Sequence, residues 1–258
     1  RHAAQSVSFL PAPHPAETSQ TAVAAHGALW EVAPWMPGEA DAAALAPARL
    51  IAACEALAEF HNATRDVAVA NPHAASPAIA ERQSLVGDAL GADWPALAER
   101  AALACEPLRA PLVTAGTLIG PVLKAVRPKL AVVAGLATRL QPIVRDSRRE
   151  HFLVTGDRVT GLVDFGAMTI DTPAVDHARL LGEAAGDDPA LWRLGIGASG
   201  LDATQRRLVG PLDASGAALA ACNWLRWTRD GRPPDTPRLA WLVGRLRGIL
   251  RGGFPLDR

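Results

Sequence analysis

The stretch that most constrains this chain covers residues 143–166, IVRDSRREHFLVTGDRVTGLVDFG. An apolar run, HFLV, is followed by a turn, TGD, and a second apolar run, RVTGLVDF. Two β-rich runs around a glycine-containing turn predict a short hairpin. A hairpin brings its two ends together, so Asp146, before the first strand, and Asp164, closing the second, are expected to lie near each other. Paired carboxylates on a rigid hairpin can divide the work of phosphoryl transfer. One accepts the proton of an attacking hydroxyl, and the other holds the magnesium that bridges the phosphates.

Composition narrows the class. At 258 residues the chain suits one large domain or two small ones. Nearly half the residues are apolar (49%), enough for a substantial core, and the formal net charge is zero. A neutral chain argues against a general nucleic-acid binder. The three cysteines, Cys54, Cys105 and Cys222, are far apart and show no metal-ligand spacing. They read as reduced, mostly buried thiols of a cytoplasmic protein. The longest apolar runs are too short to span a bilayer, and the start has no apolar signal-peptide core. Nothing in the sequence speaks to oligomeric state.

The residues around the hairpin resemble the aminoglycoside phosphotransferase and choline kinase-like enzymes, relatives of the protein kinases. Arg145 and Asp146 resemble the catalytic Arg-Asp of that superfamily, and Asp164, Phe165 and Gly166 resemble its metal-binding triplet, eighteen positions later. The resemblance implies that Asp146 is the catalytic base and Asp164 a magnesium ligand, with ATP as donor and a small-molecule hydroxyl as acceptor. Arg148 stands where a protein kinase places a phosphate-contacting lysine, so it could neutralise the γ-phosphate, or belong to a solvated arginine cluster. Two positions depart from the pattern. Val144 replaces the family histidine, and His151 replaces the second metal-binding residue, an asparagine. Imidazole is a poor magnesium ligand, so His151 could instead bond Asp146 or a phosphate, or simply open a strand. Asp176, in VDHARLL, resembles the aspartate that braces the catalytic loop, and it would also cap a helix.

By the same resemblance the fold is α+β and protein-kinase-like. A remnant of a small β N-lobe and hinge covers residues 1–36. A large helical C-lobe with the catalytic loop (143–151) and the triplet (164–166) covers 37–258. Residues 1–10 look like the tail of an N-lobe helix. Strands over 21–25 and 28–34, joined at His26-Gly27, run into a hinge. There the backbone of Glu31, Val32, Ala33, Trp35 and Met36 would contact adenine. The alternative is an edge strand with two packed tryptophans. The chain's only lysines are Lys124 and Lys129. A kinase-like site needs a strand lysine and a Gly-rich loop over the phosphates. The expectation is therefore that most of the N-lobe is missing, which leaves open a non-catalytic nucleotide binder or scaffold, or a helical binding protein.

Beyond the hinge, apolar spacing predicts a helix capped by Asp41, including Leu45 and ending near Ala63. His61 at its end is expected to be structural. Residues 65–85 read as a polar linker and 94–105 as a helix. A further helix over 116–139, interrupted at Gly120-Pro121 and Pro128, would feed directly into the catalytic loop. The remainder is helical. The segment GIGASG at 195–200 satisfies GxGxxG, but it follows a helical pattern and reads as a helix end. Trp224, Trp227 and Trp241 sit at helical spacing and read as core. Arg238, Arg245, Arg247 and Arg251 form the basic face of a final surface helix, or less readily a contact for an anionic partner.

Overall fold

The computed structural model describes residues 3–40, 46–232 and 236–251. The chain opens on a single turn of 3-10 helix, Ala3–Gln5, and not on a helix reaching Leu10. The Phe9 carbonyl instead accepts the N–H of Leu162 at 2.9 Å, which stitches this segment to the central hairpin. Arg1, part of the same expectation, lies outside the described residues.

Strands β1 (Ala22–Ala25) and β2 (Ala28–Glu31) form an antiparallel ribbon. Its turn, His26-Gly27, has φ of 51° and 75°. Two successive positive φ values are what a tight hairpin turn requires, and glycine supplies the second without strain. The tryptophans here are not packed: Trp30 is 59% exposed and Trp35 96%. A two-residue strand, β3 (Glu39–Ala40), then joins the central hairpin.

Helix α1 (Pro47–Thr64) starts with proline at its first turn, where the missing N–H costs nothing. The expected cap, Asp41, and Leu45 lie outside the described residues. Strand β4 (His73–Ala75) and helix α2 (Pro77–Ala89) occupy most of the expected linker. The prolines were the misleading signal. Ser76 caps α2 by accepting the N–H of Ile79, and Pro77 sits at its first position, so Ser-Pro marks a start and not a break. Helix α3 (Trp94–Ala104) follows, capped by Asp93.

Helix α4 (Arg109–Val133) begins earlier than expected and runs without interruption through Pro121 and Pro128. Each proline removes one intrahelical bond. Leu112, Ile119, Val122, Leu123, Val126 and Leu130 are fully buried along the same helix. At about 1.5–3 kcal/mol per buried aliphatic side chain, that burial outweighs the loss. The helix does not feed directly into the catalytic loop. Strands β5 (Ala137–Arg139) and β6 (Gln141–Ile143) intervene, and β5 pairs with β4.

The central hairpin follows the turn Arg149–His151, with strands β7 (Phe152–Thr155) and β8 (Arg158–Leu162). Phe152 pairs with Leu162, and β3 extends the pair on the β7 side. Strand β9 (Thr169–Asp171) returns against β6. Four helices complete the chain: α5 (Ala174–Ala184), α6 (Pro189–Ala198), α7 (Ala203–Arg229) and α8 (Thr236–Leu250). Asp202 and Gln205 start α7 with a reciprocal capping box. The GIGASG segment lies at the end of α6 and its loop, as expected.

The sheets are small, none wider than three strands among the described residues. The core is helical: α3, α4, α7 and α8 pack together, α5 lies on α7, and α1 lies between α6 and the hairpin. Trp94 and Trp192 anchor it, each indole N–H bonded to a backbone carbonyl, Ala89 and Gly186 respectively. Cys54 and Cys222 are buried free thiols whose pKa values burial pushes up to about 12. Among the described residues no helix is long and apolar enough to cross a membrane.

Candidate active site

The site is assembled around a buried carboxylate. Asp176, on the first turn of α5, has no exposed surface. Its Oδ2 accepts the Val144 N–H at 2.9 Å and its Oδ1 the Arg145 N–H at 2.6 Å. His61 Nε2, from the end of α1, lies 2.8 Å from Oδ2. The Asp176 carbonyl also accepts the Ser147 hydroxyl at 2.7 Å. Asp176 does not cap its own helix; its side chain is spent on the 143–151 loop. Beside it, burial drives the His177 pKa well below 6.5, so that ring is neutral.

These bonds hold the loop in an uncommon conformation. Within it, Arg145 has φ of 69°, in the left-handed region that costs a side-chain-bearing residue energy; Asp164, outside this loop, has φ of 64°. Arg145 also reaches across to Glu81 on α2 at 2.9 Å.

The Asp146 carboxylate accepts from Arg148 Nε at 3.1 and 3.2 Å and from Arg179 Nε at 3.1 Å. Burial pushes its pKa up, but the charges and hydrogen bonds of Arg179 and Arg148 more than offset this. The carboxyl is held below the ordinary value of 3.8 and is ionised at neutral pH. Arg148 is therefore committed to Asp146, with a second contact to Glu150 at 3.4 Å. Arg179 is the residue that sequence reading missed. Its spacing, three after Asp176, places it on the same helical face, and that was the available signal.

His151 joins the two carboxylate loops. Its Nδ1 lies 2.8 Å from the carbonyl of Asp146, which can only accept, so Nδ1 carries the proton. Its Nε2 lies 3.5 Å from Oδ2 of Asp164. Its own carbonyl accepts the Val163 N–H at 3.0 Å. The half-exposed Asp164 side chain offers hard oxygens, while Phe165 packs toward Phe60 on α1. No cluster of three or more metal-ligating side chains occurs among the described residues.

The hinge residues are spread differently. Glu31 closes the β1–β2 ribbon opposite Ala22. The Val32 carbonyl already accepts the His14 N–H at 2.8 Å. Glu31, Val32, Ala33 and Trp35 are exposed, whereas Met36 is buried against β8 at Gly161. A Cβ at Gly161 would come within 2.7 Å of Met36 Cβ, so glycine is what lets the two segments close.

Next to Asp146 lies a cleft of about 380 Å³, bounded by Arg148, Arg179 and Glu183 on one side and by Trp224, Trp227 and Trp241 on the other. Trp227 and Trp241 thus form a cleft wall, whereas Trp224 lines the cleft and also packs, half-buried, against the core as expected. Trp227 is 43% exposed and Trp241 37%. Helical spacing puts Trp224 and Trp227 on one face of α7 but does not say that Trp241 on α8 meets that face. The final basic helix is also corrected. Arg245 is buried, bound to Asp187 and Asp213, and Arg238 pairs with Glu150 at 3.1 Å.

The family model described as the phosphotransferase enzyme family matches residues 1–211. A search among curated proteins found no match. Several solved structures share the fold. An aminoglycoside phosphotransferase from Alicyclobacillus acidocaldarius superposes with a TM-score of 0.60 at 17% identity, covering 97% of this chain and 79% of that one. A spectinomycin phosphotransferase in complex with ADP and spectinomycin gives 0.60 at 8% identity, covering 93% and 73%. An amicoumacin kinase with AMP-PNP and Ca2+ gives 0.58 at 13% identity, covering 97% and 75%.

Proposed function

The chain belongs to the phosphotransferase enzyme family, and on that premise we propose that it transfers the γ-phosphoryl group of ATP to a hydroxyl of a small molecule. The observation that carries the reading is the position of His151, which touches the Asp146 carbonyl with one ring nitrogen and approaches the Asp164 carboxylate with the other. Two carboxylates, one ionised and one half-exposed, thus lie on two loops joined by one side chain, which supports a division of labour between acceptor orientation and metal binding.

In this reading the acceptor hydroxyl donates its hydrogen bond to Asp146. Its oxygen attacks the γ-phosphorus, the bond to the β–γ bridging oxygen breaks, and ADP leaves. The hydroxyl proton passes to the Asp146 carboxylate and then to solvent. A carboxylate held at low pKa by two arginines is a weak base. It suits a loose transition state, in which the proton moves late and the carboxylate's first task is to orient the nucleophile. Arg148 and Arg179 fix the carboxylate. Arg148 is also a candidate to contact the transferring phosphoryl oxygens. Asp176 holds the loop backbone that aims Asp146. Magnesium, when bound, would neutralise charge on the phosphate oxygens, with Asp164 as its carboxylate and His151 beside it. Adenine would lie along the hinge, where the groups of Ala33, Trp35 and Met36 are the candidates left after Val32 bonds His14. The nucleotide complexes of the spectinomycin and amicoumacin kinases support a nucleotide donor.

A second reading, nucleotide binding without transfer, is favoured by one observation. Both lysines of the chain lie on α4, Lys124 exposed and Lys129 half-buried, and neither is on a strand. A thermal-shift titration with ATP and magnesium, followed by product analysis, separates the two. Magnesium-dependent stabilisation with ADP formation that vanishes in Asp146→Asn supports transfer. Stabilisation without ADP formation supports the binder, and the absence of any shift overturns both.

A further inference from the structure

We propose that the acceptor is an alcohol built on a flat ring, which stacks on the indoles of Trp227 and Trp241 in the cleft beside Asp146; this rests on the phosphotransferase reading.

The tryptophans of the core and those of the cleft differ in kind. Trp94 and Trp192 are buried, and each spends its indole N–H on a backbone carbonyl. Trp227 and Trp241 stay 43% and 37% exposed, and among the described residues neither indole N–H has a hydrogen-bond partner. Trp224 and Trp227 on α7 stand edge to face, with ring centroids 5.2 Å apart and planes at 83°. That contact orients both rings and spends one ring's face on the other's edge. Trp241 comes from α8, lines the same cleft, and has no ring partner among the described residues. Open indole surface held by two helices in a concave site is receptive to a flat ring by stacking. A space of about 380 Å³ suits one or two fused rings with a short side arm.

The charged wall opposite is engaged with itself. Arg148 and Arg179 hold Asp146, Arg238 pairs with Glu150, and Arg149 has a partner as well. An oxygen of Glu183 accepts the Arg149 N–H at 3.3 Å. The unspent surface of the cleft is chiefly that of the indoles, and it selects on shape. Their arrangement also separates a ring from a cation. Cages for cations are built from several converging aromatic faces. Here the edge-to-face pair has already taken one face, whereas a flat ring needs only one or two. Arg148 and Arg179 line the cleft and also hold Asp146, so a ring seated against the indoles lies next to the carboxylate that would orient the hydroxyl on its side arm.

The test reads binding without nucleotide, on the full chain, with neutral probes so that charge plays no part. Ligand-observed NMR titrations compare naphthalenemethanol, which is flat, with its fully hydrogenated counterpart, which has the same carbon skeleton but puckered rings. The hydrogenated probe has the larger apolar surface, so area alone would favour it. Stacking is expected to reverse that order, with the flat probe bound about fivefold more tightly. Trp227→Leu combined with Trp241→Leu keeps the wall apolar. It should erase the preference while moving the binding of the hydrogenated probe by less than about twofold. Trp241→Phe should retain the preference. Both sites are partly exposed, and far-UV circular dichroism checks that each variant is folded; if the double variant is not, Trp227→Leu alone should shrink the preference to about twofold. No binding of the flat probe, equal or tighter binding of the hydrogenated one, tighter binding of tetramethylammonium than of the flat probe, or a preference unmoved by the leucine variants would overturn the proposal. Because no ATP is present, this outcome is independent of the transfer assay. The flat-ring preference with no ADP formation would sink the catalytic reading alone, and phosphorylation of saturated alcohols with no flat-ring preference would sink this one alone.

Discussion

His151 Nε2 stands 3.5 Å from Asp164 Oδ2 while the Nδ1 of the same ring is bonded to the carbonyl of Asp146. One imidazole thereby sets the spacing between the loop that would orient the acceptor and the loop that would hold the metal. Removing it should loosen the second without unfolding the first, because the Asp146 loop is held independently by Asp176. His151→Ala is expected to raise the magnesium concentration for half-maximal activity about 10–100-fold, the usual cost of losing an orienting neighbour. His151→Asn, which supplies a hard oxygen, should restore most of it. A magnesium titration unchanged in His151→Ala would show that the ring has no part in the metal site.

Asp146→Asn keeps the shape of the side chain and removes its charge. The loss of oriented proton acceptance is expected to lower kcat about 10²–10⁴-fold. The KM for ATP should change little, since the proposed adenine and metal contacts lie on other residues. The two arginines hold the Asp146 pKa below 3.8, so its ionised form persists through the neutral range. Any inflection in the rate profile between about pH 5 and 8 should then survive unaltered in a slow but measurable Asp146→Asn enzyme.

Asp176 makes a stability prediction of its own. Its carboxylate receives two loop N–H groups and faces His61 with no solvent nearby. Asp176→Ala leaves those buried donors without a partner, at about 1–3 kcal/mol for each. The expected loss is about 3–5 kcal/mol by urea denaturation. Asp176→Asn recovers only part of it, because one carboxylate oxygen becomes an amide nitrogen facing an N–H. A loss under about 1 kcal/mol for Asp176→Ala would mean that the loop holds its shape without the aspartate.

The parts of the fold legible in the sequence were those specified by neighbours along the chain. The hairpin was written in β-rich runs around Gly156, and the helices of α1, α3 and the C-terminal region in their apolar spacing. The parts that were not legible depend on what an element meets. Proline is a breaker in isolation, yet it opens α2 at Pro77 and passes through α4 at Pro121 and Pro128, where burial outweighs one lost bond. Trp224 and Trp227 share a face of α7, but only the placement of α8, which carries Trp241, against α7 makes that face a cleft. For the candidate site, residues 146, 164 and 176 were named from the resemblance of short local motifs to those of a known family. Arg179 was not, because an arginine on a helix surface is ordinary until its partner across the loop is known.

The basic face of α8 carries a different test. Arg245 is 3% exposed and bonded to Asp213 on α7, to Asp187 and to the Gly186 carbonyl. Burial pushes the Asp213 pKa up, and Arg245 and Arg82 pull it back down only in part. Arg245→Met therefore strands a buried carboxylate, at about 3–5 kcal/mol. Replacing both partners, Arg245→Met with Asp213→Leu, should recover most of that loss, since a buried pair is often no better than apolar packing. Equal destabilisation of the single and double variants would show that the pair is not the unit of stability here.

His177 gives the pH dependence. It is fully buried beside His61, with ring centroids 5.5 Å apart, and among the described residues neither of its ring nitrogens has a hydrogen-bond partner. Burial first, and the neighbouring His61 second, lower its pKa well below 6.5. The sign follows from which state binds the proton. Above the unfolded value of 6.5 both states are neutral at this residue, and it adds no pH dependence. As pH falls below 6.5 the unfolded chain takes up a proton that the folded chain refuses, so stability drops. The slope from this group approaches about 1.4 kcal/mol per pH unit until its folded pKa is reached. His177→Leu removes the titrating ring and the two unpaired nitrogens. The variant should match or exceed wild-type stability at about pH 7.5, and its advantage should widen by about 1 kcal/mol at about pH 5.5. Other groups, His61 and Asp176 included, remain in both proteins, so the difference between them isolates His177. Parallel stability curves for the two proteins from about pH 7.5 to 5.5 would show that His177 is not held neutral by its surroundings.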